Sequence, residues 1–467
     1  MSAPSSRPAL PRGAAWIERP GIPGEHESTR RALLLAVSYP PRTEVGAARW
    51  EGFTPFLVRA GWGVDVVIAE RHAYERSDMT RVARLPADVR VAETVHRRAW
   101  WHAALLGLRA ALKRRGSAAG DAPVAFDEVT RSSSRGAGVR GVLDAAVHMQ
   151  RARAGVGDFR AVALALADSR HRVVISSGPP HFVHVAASHV ARTLRVPHVV
   201  DLRDPWGRAE RGPLSARLLP DRHLLRHEAR TLRASALVLT NTEAAQRTLV
   251  ARFPELAERV RCLPNGSDVE ALDPAHHPRP SVFQIAHSGS LYLDRDPRPF
   301  FRAVGRVRER LALGPDALRV VFMGNPARVE GRTLTALADE AGLRGVFEER
   351  PAGTRDEARA LLGESSMAVA FQGETRTQVP AKVFEYVAFP LWLLALVGAD
   401  SATAEVLTGT DAIVHDIDDE AGIERAVERC YRAHLAGEQP RPAGWDGRFS
   451  RARQAERLLV ELERIAR

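Results

Sequence analysis

The sequence predicts an α/β protein made of two doubly wound halves, and three observations carry that prediction. The first is a continuous apolar run at 32–37, the pattern of a strand buried on both faces. A helical stretch at 47–60 and a second apolar run at 64–68 follow it, and so compact a strand–helix–strand unit implies a parallel sheet. The second observation is that the same alternation resumes at Phe283. The third is the stretch 268–281 between them, with Pro274, Pro278 and Pro280, which reads as a linker. At 467 residues the chain is also longer than one ordinary core organises.

Taken in order, residues 1–30 are rich in Pro, Ser and Arg without an apolar centre. They read as a disordered extension and not as a signal peptide. After the first strand comes a loop, 38–46, with Pro40, Pro41 and Gly46. Ligands of parallel sheets sit beyond the C-terminal strand ends, so this loop is placed either to touch a substrate or simply to connect. Gly61-Trp62-Gly63 ends the helix before the second strand. Residues 71–160 are less legible. Within them 97–115 is a basic amphipathic helix with Trp100 and Trp101, suited either to an anionic membrane surface or to packing on its own domain. A strand at 172–177 then runs into Gly178-Pro179-Pro180-His181 and a helix at 182–194. The strand at 196–206 ends in Asp201, Arg203, Asp204 and Trp206, and charge gathered at a strand's C-terminal end suggests a site more than a core. A helix at 221–234, a strand at 236–240 and a helix capped by Asn241 or Thr242 follow, and the stretch 260–266 ends this half, with Asn265-Gly266 as a turn.

The second half begins with a strand from Phe283 into Gly289-Ser290. Helices are expected at 296–311 and 331–341, with a strand at 318–324. Thr354 and Glu357 form a capping-box pattern. A strand at 367–371, a polar loop at 372–378 and a short helix follow. Pro380 is pre-set for that helix's first turn, and Pro390 closes it. Lys382 then adds a charge to the helix dipole, with Glu385 on roughly the same face. A cation at a helix start suits a diphosphate and a carboxylate one turn deeper suits sugar hydroxyls; the plainer alternative is an exposed ion pair. The N–H groups of Gly289 and Ser290 could cradle a phosphate, with Arg295 and Lys382 as counter-charges. A strand at 391–397 and helices at 420–436 and 450–466 end the chain.

Bulk properties exclude several classes. The net charge of +11 comes almost wholly from Arg and admits nucleic acid, an anionic surface or phosphorylated substrates. No zinc spacing, helix-turn-helix signature or aromatic-basic RNA motif accompanies it, so no nucleic-acid partner is expected. Two cysteines, Cys262 and Cys430, make no disulfide framework and fit a reducing, cytoplasmic compartment. No apolar run of about 18 residues predicts a spanning helix. Neither a Gly-x-Gly-x-x-Gly nor a P-loop fingerprint is present, and no metal-ligand cluster is seen; no metal or cofactor is expected.

Six stretches in order resemble the GT-B glycosyltransferases, in particular glycosyltransferase family 4. They are Ser38-Tyr39-Pro40-Pro41 with Val45-Gly46-Ala47-Ala48-Arg49; Ser176-Ser177-Gly178-Pro179-Pro180-His181; Asp201-Leu202-Arg203-Asp204-Pro205-Trp206; Pro264-Asn265-Gly266; Gly289-Ser290-Leu291-Tyr292; and Pro380-Ala381-Lys382-Val383-Phe384-Glu385-Tyr386. The resemblance spans about residues 31–440 and implies two Rossmann-like domains facing a central cleft. They would be an acceptor-side domain at 31–272 and a nucleotide-sugar donor domain at 273–440, with 441–467 crossing back to the first.

The resemblance also implies a metal-independent, retaining hexosyl transfer from a nucleotide-sugar to a glycan, lipid-linked or small acceptor, as in polysaccharide assembly. Glu385 would match the second glutamate of the family's Glu-x7-Glu motif and bind the ribose. Lys382 and Arg295 would meet the diphosphate, approached also by the Gly46 loop. Asp204, Arg203 and His181 would lie near the transferred sugar, and Gly178, Gly289, Ser290 and Asn265 would line the substrates. One departure stands out: the first glutamate of that motif is here Thr377, with Glu374 out of register. It points to one rival, a non-catalytic nucleotide-sugar-binding protein; a UDP-sugar 2-epimerase, which shares the two-domain fold, is the other. A peripheral position at the inner face of a membrane, through 97–115, is the remaining partner expectation.

Overall fold

The structure is a computed structural model that describes residues 7–18, 28–70, 77–94, 139–206, 220–291, 295–325, 328–373 and 375–466, with side chains of 139–152 and 220–225 left aside. The expected helix at 97–115 lies outside the described residues, as do Tyr292 and Glu374. The chain forms two compact units. One takes the chain up to Asn241, Thr248–Leu263 and the end from Ala455; the other takes Thr242–Arg247 and Pro264–Gln454.

The first unit contains β1 (Ala15–Trp16), β2 (Arg30–Ala36), α1 (Ala47–Arg59), β3 (Trp62–Ile68), α2 (Met79–Ala83), β4 (Val89–Glu93), α3 (Val139–Leu166), β5 (His171–Gly178), α4 (Phe182–Leu194), β6 (His198–Leu202), α5 (Pro220–Ala234), β7 (Leu237–Thr240) and β8 (Val260–Cys262); α6 (Glu243–Arg252), before β8, is divided between the two units at Arg247. Its eight strands run β1-β4-β3-β2-β5-β6-β7-β8, parallel except for β1. The apolar run of β2 explains its central place. Ala32, Leu34 and Ala36 pack on one face with Trp50 and Phe53 of α1. Leu33 and Leu35 pack on the other with Phe159 and Val162 of α3 and Val183 of α4. Ala455, Leu458 and Leu462, near the chain's end, join the first of these layers.

The second unit contains β9 (Phe283–Ser288), α7 (Arg298–Arg310), β10 (Leu318–Gly324), β11 (Arg328–Val329), β12 (Arg332–Thr333), α8 (Leu334–Glu340), β13 (Phe347–Pro351), α9 (Arg355–Gly363), β14 (Met367–Phe371), α10 (Val383–Tyr386), β15 (Trp392–Leu396), α11 (Ala402–Leu407), β16 (Ile413–His415) and α12 (Glu420–Leu435). The final helix, α13 (Arg451–Ile465), starts in this unit. Six parallel strands run β13-β10-β9-β14-β15-β16. Val369, Phe371, Leu394 and Leu396 face Phe300 and Val304 of α7 and Ile423 of α12. Ala368, Ala370, Leu393 and Ala395 face the other layer with Phe384 and Val387. The capping box at α9 is formed, Thr354 and Glu357 each bonding the other's backbone.

The N-terminal extension needs correcting. Ala15–Trp16 pairs antiparallel with β4, the Ile17 N–H donates to the Val91 carbonyl at 2.9 Å, and Ile17 is buried. Two apolar residues anchor an edge strand there, too few to register against a Pro-rich background. The strands β4, β13 and β16 were equally invisible. β13 reads Phe-Glu-Glu-Arg-Pro because an edge strand tolerates charge that a central one would not.

Candidate functional site

Both groups of candidate residues gather at C-terminal strand ends, one group in each unit. In the second unit the central strand β9 alternates Phe283, Ile285 and His287 on its core face. His287 is fully buried between the rings of Phe322 and Phe371, each 5.1 Å away. Its Nδ1 donates to the Val369 carbonyl at 2.8 Å, which leaves the Nε2 lone pair as acceptor for Lys382 Nζ at 3.1 Å. Burial, then the charge of Lys382, holds the imidazole well below the ordinary histidine range. The Lys382 amine is in turn pushed down to about 7 by burial and then by Arg295. The strand turns at Gly289, where φ is +118°, and a Cβ there would lie 2.7 Å from Lys382 Nζ. Gly289, Ser290, Arg295 and Lys382 thus belong to one place.

Part of the donor set expected at this place is spent within the fold. Helix α10 has four residues, and the N–H groups of Val383, Phe384 and Glu385 are bonded to the carbonyls of Pro380, Ala381 and Lys382. The Gly289 N–H goes to the Met323 carbonyl at 2.7 Å. The N–H groups of Val383, Phe384, Glu385 and Gly289 are therefore spent within the fold. Tight turns consume the donors from Val383 to Tyr386 locally, and the full charges at this place are those of the Lys382 and Arg295 side chains. Tyr386 fixes the arrangement, accepting from the Ser288 N–H at 2.7 Å and donating to the Ser288 carbonyl at 3.1 Å.

Glu385 is half-buried and already engaged: Arg355 Nε donates to it at 2.7 Å. Arg355 also bridges to Asp268 at 2.9 Å, and Asp268 to Arg451 at 2.8 Å. Burial opposes the Asp268 charge, but Arg451 and Arg355 outweigh it and hold the carboxyl below its usual range. Asn265 lies on a different connection, before Gly266, where a Cβ would meet the Arg451 backbone at 2.8 Å. Thr377 is buried, and its carbonyl accepts from Thr242 Oγ1 at 2.6 Å.

In the first unit Arg203 ties four strand ends together. A Cβ on Gly46, after β2, would lie 1.7 Å from Arg203 Nη1. Its Nη2 donates to the Pro179 carbonyl and its backbone N–H to the Gly178 carbonyl at 2.9 Å, both at the C-terminal end of β5. Asn241, after β7, donates to the Arg203 carbonyl at 2.5 Å. His181 stacks on Trp206 with centroids 5.3 Å apart, and His184 packs against both. Gly178 is required here, since a Cβ would fall 2.5 Å from His184 Nε2. Asp204 follows Arg203, half-buried. So Gly46, Gly178, His181, Arg203 and Asp204 converge.

Asp201 does not share that role. It is fully buried, bound by Arg49 Nη2 at 2.9 Å, Trp50 Nε1 at 2.8 Å and Ser177 Oγ at 2.8 Å, and it holds the sheet together. Sequence reasoning passed over His287, Arg355 and His184. The first had a signal, since a histidine at the core-facing position of an otherwise apolar strand asks for a partner. Among the described residues no group of three His, Cys, Asp or Glu side chains is arranged to hold a metal, and no helix is long and apolar enough to cross a membrane.

No family model matches the chain, and no curated protein matches it. Solved structures do. The trehalose-6-phosphate synthase of Burkholderia multivorans is 15% identical, with a TM-score of 0.60 over 94% of this chain and 97% of that one. Anabaena HepE in complex with UDP and glucose is 12% identical, with a TM-score of 0.56 over 93% and 100%. The sucrose-phosphate synthase of Thermosynechococcus elongatus is 12% identical, with a TM-score of 0.57 over 93% and 99%. At these identities the likeness is one of fold, and the fold is GT-B.

Proposed function

We propose that this protein is a glycosyltransferase that takes a sugar from a nucleotide-diphosphate-sugar donor, with the second unit holding the donor. The observation that carries the reading is Lys382. It is a half-buried cation at the end of the central strand of a GT-B unit, held by an imidazole and reinforced by Arg295. Breaking the sugar–phosphate bond builds negative charge on the leaving diphosphate, and cations fixed where that charge appears lower the barrier. Lys382 and Arg295 would supply that stabilisation without a metal. Glu385, oriented by Arg355, would take the ribose hydroxyls. The first unit's Arg203, Asp204 and His181 would take the acceptor and the moving sugar.

In this reading transfer retains the anomeric configuration and serves glycan or glycoconjugate synthesis. Thermal-shift screening of the full chain against UDP, GDP and their sugars tests the donor class, since a ligand at a hundred times its Kd stabilises by roughly 2.7 kcal/mol. No shift with any nucleotide overturns the reading. Anomeric NMR of the product then tests retention. Thr377 favours one second reading, a binder without turnover, because that buried threonine puts no carboxylate where the family has its first glutamate. Stabilisation by a nucleotide with no transfer or epimerisation of any donor would select it.

A further inference from the structure

We propose that His287 is the positioning residue for Lys382, and that this amine gains a proton as a phosphate or diphosphate anion settles beside Gly289, so that anion binding and proton uptake are one event. That the anion is a nucleoside diphosphate rests on the reading above; the coupling itself does not.

The first support is compositional. Of the 67 basic residues, two are lysines, Lys113 and Lys382; the rest are arginines. A chain that meets nearly every need for a cation with Arg has a Lys at this one described position. A guanidinium keeps its charge wherever it is placed, whereas a desolvated amine gives up its proton readily. Position 382 therefore holds a cation that can titrate.

The second support is geometric. The bond from His287 Nδ1 to the Val369 carbonyl fixes the tautomer, so Nε2 can only accept. A carboxylate in that place would hold the ammonium charged; a neutral imidazole orients the nitrogen without doing so. The other neighbours do not compensate. β10 and β14 present Phe322 and Phe371. Beyond β9, Arg295 adds positive charge. On α10, Glu385 is engaged by Arg355, and Tyr386 by Ser288. An arriving anion reverses the balance. The proton comes from the buffer acid, forms an N–H bond on the Nζ lone pair, and displaces no other proton. Gly289, lacking a Cβ, keeps the approach open.

The test uses the full chain labelled with [ε-13C]lysine, which gives two side-chain signals; the one absent from Lys382→Met belongs to Lys382. Titrated without ligand, it should show a midpoint about 7. Inorganic pyrophosphate and, separately, UDP should raise that midpoint by a unit or more, roughly tenfold in proton affinity. Calorimetry of the same binding at pH 8 in two buffers of different ionisation heat should show net uptake of roughly 0.4 proton for a one-unit rise and about 0.8 for a two-unit rise. Lys382→Arg should bind with no uptake. His287→Leu, which fits the aromatic surroundings, removes the acceptor that holds the amine in its buried place, so the amine should swing toward solvent and its ligand-free midpoint should rise toward the ordinary lysine value; His287→Gln, which keeps an acceptor, should restore the low midpoint. A ligand-free midpoint in the ordinary lysine range overturns the proposal, as does a midpoint that neither anion moves. A response to pyrophosphate but not to UDP or GDP upholds the coupling and sinks the nucleotide reading.

Discussion

Two cation sites in this protein, one buried and one half-buried, are built on opposite rules. In the first unit Asp65 of β3 is fully buried and accepts paired bonds from Arg31 at 2.8 and 2.8 Å and from Arg90 at 2.6 and 2.6 Å, with His171 Nε2 at 3.0 Å. These residues come from four adjacent strands, β4-β3-β2-β5. In the second unit Lys382 meets an imidazole and the field of another cation. A guanidinium whose fork is filled by a buried carboxylate is a strut, because its charge is already answered. A cation held without a carboxylate is poised for an anion from outside. Counting basic residues would not separate the two; asking what each one touches does.

The largest effect expected from this contrast is at the strut. Asp65→Asn leaves two buried guanidiniums without a counter-charge, and breaking such a pair costs about 3–5 kcal/mol. Urea unfolding should show that loss, or an insoluble product. The pH dependence has a definite sign. Burial opposes the Asp65 charge, but Arg90, His171 and Arg31 outweigh it and hold the carboxyl below its ordinary value. Its contribution is therefore complete above the unfolded carboxyl value of about 4 and is lost as pH falls below it. The variant should lack that acid dependence.

Lys382→Met should behave in the reverse way. Removing a charge-assisted contact worth about 1.5–3 kcal/mol should weaken UDP at least tenfold. Stability should not fall with it. The folded amine sits at about 7 against an ordinary 10.5, so between those values the unfolded chain binds more protons and wild-type stability rises with pH. The variant should be the more stable protein near pH 7, and its advantage should shrink toward pH 10. Denaturation midpoints at pH 6.5 and 9.5 would show it; a variant less stable at both pH values would make Lys382 a strut too.

Gly46→Ala tests the middle ground. The new methyl lands on Arg203 Nη1, so the guanidinium must leave the Pro179 carbonyl, a loss of roughly 1–2 kcal/mol. Adding Arg203→Ala should make the two effects clearly non-additive in a double-mutant cycle.

How much of this was legible in the sequence follows the same physics. The buried strands β2 and β9 announced themselves, since hydrophobicity on both faces has few other meanings. Lys382 was found because a cation after a proline in a strand–loop–helix context is chemically pointed. What failed was anything decided by a distant partner. The turns at 380–386 spend donors that an ideal helix start would offer, Glu385 is taken by Arg355 thirty residues away, and His287 became meaningful only once β14 supplied the Val369 carbonyl. Charged edge strands such as β13 and the two-residue β1 carry too little apolar signal to be seen.

The smallest effect completes the comparison from the solvent side. Along α7 and α12, Arg302 and Arg306 bond Glu420, Arg306 bonds Glu424 at 2.7 Å, and Arg310 bonds Glu424 and Glu428. Every member is at least partly exposed. Water already answers these charges, so Arg306→Ala should cost only about 0.5 kcal/mol, and less as salt rises. The guanidinium at 306 has partners as short as those of Arg31, yet its removal should cost several-fold less than breaking the Asp65 cluster. Equal losses at the two places would mean that short contacts alone set the worth of an ion pair, and the distinction drawn between strut and poised cation would lose its basis in desolvation.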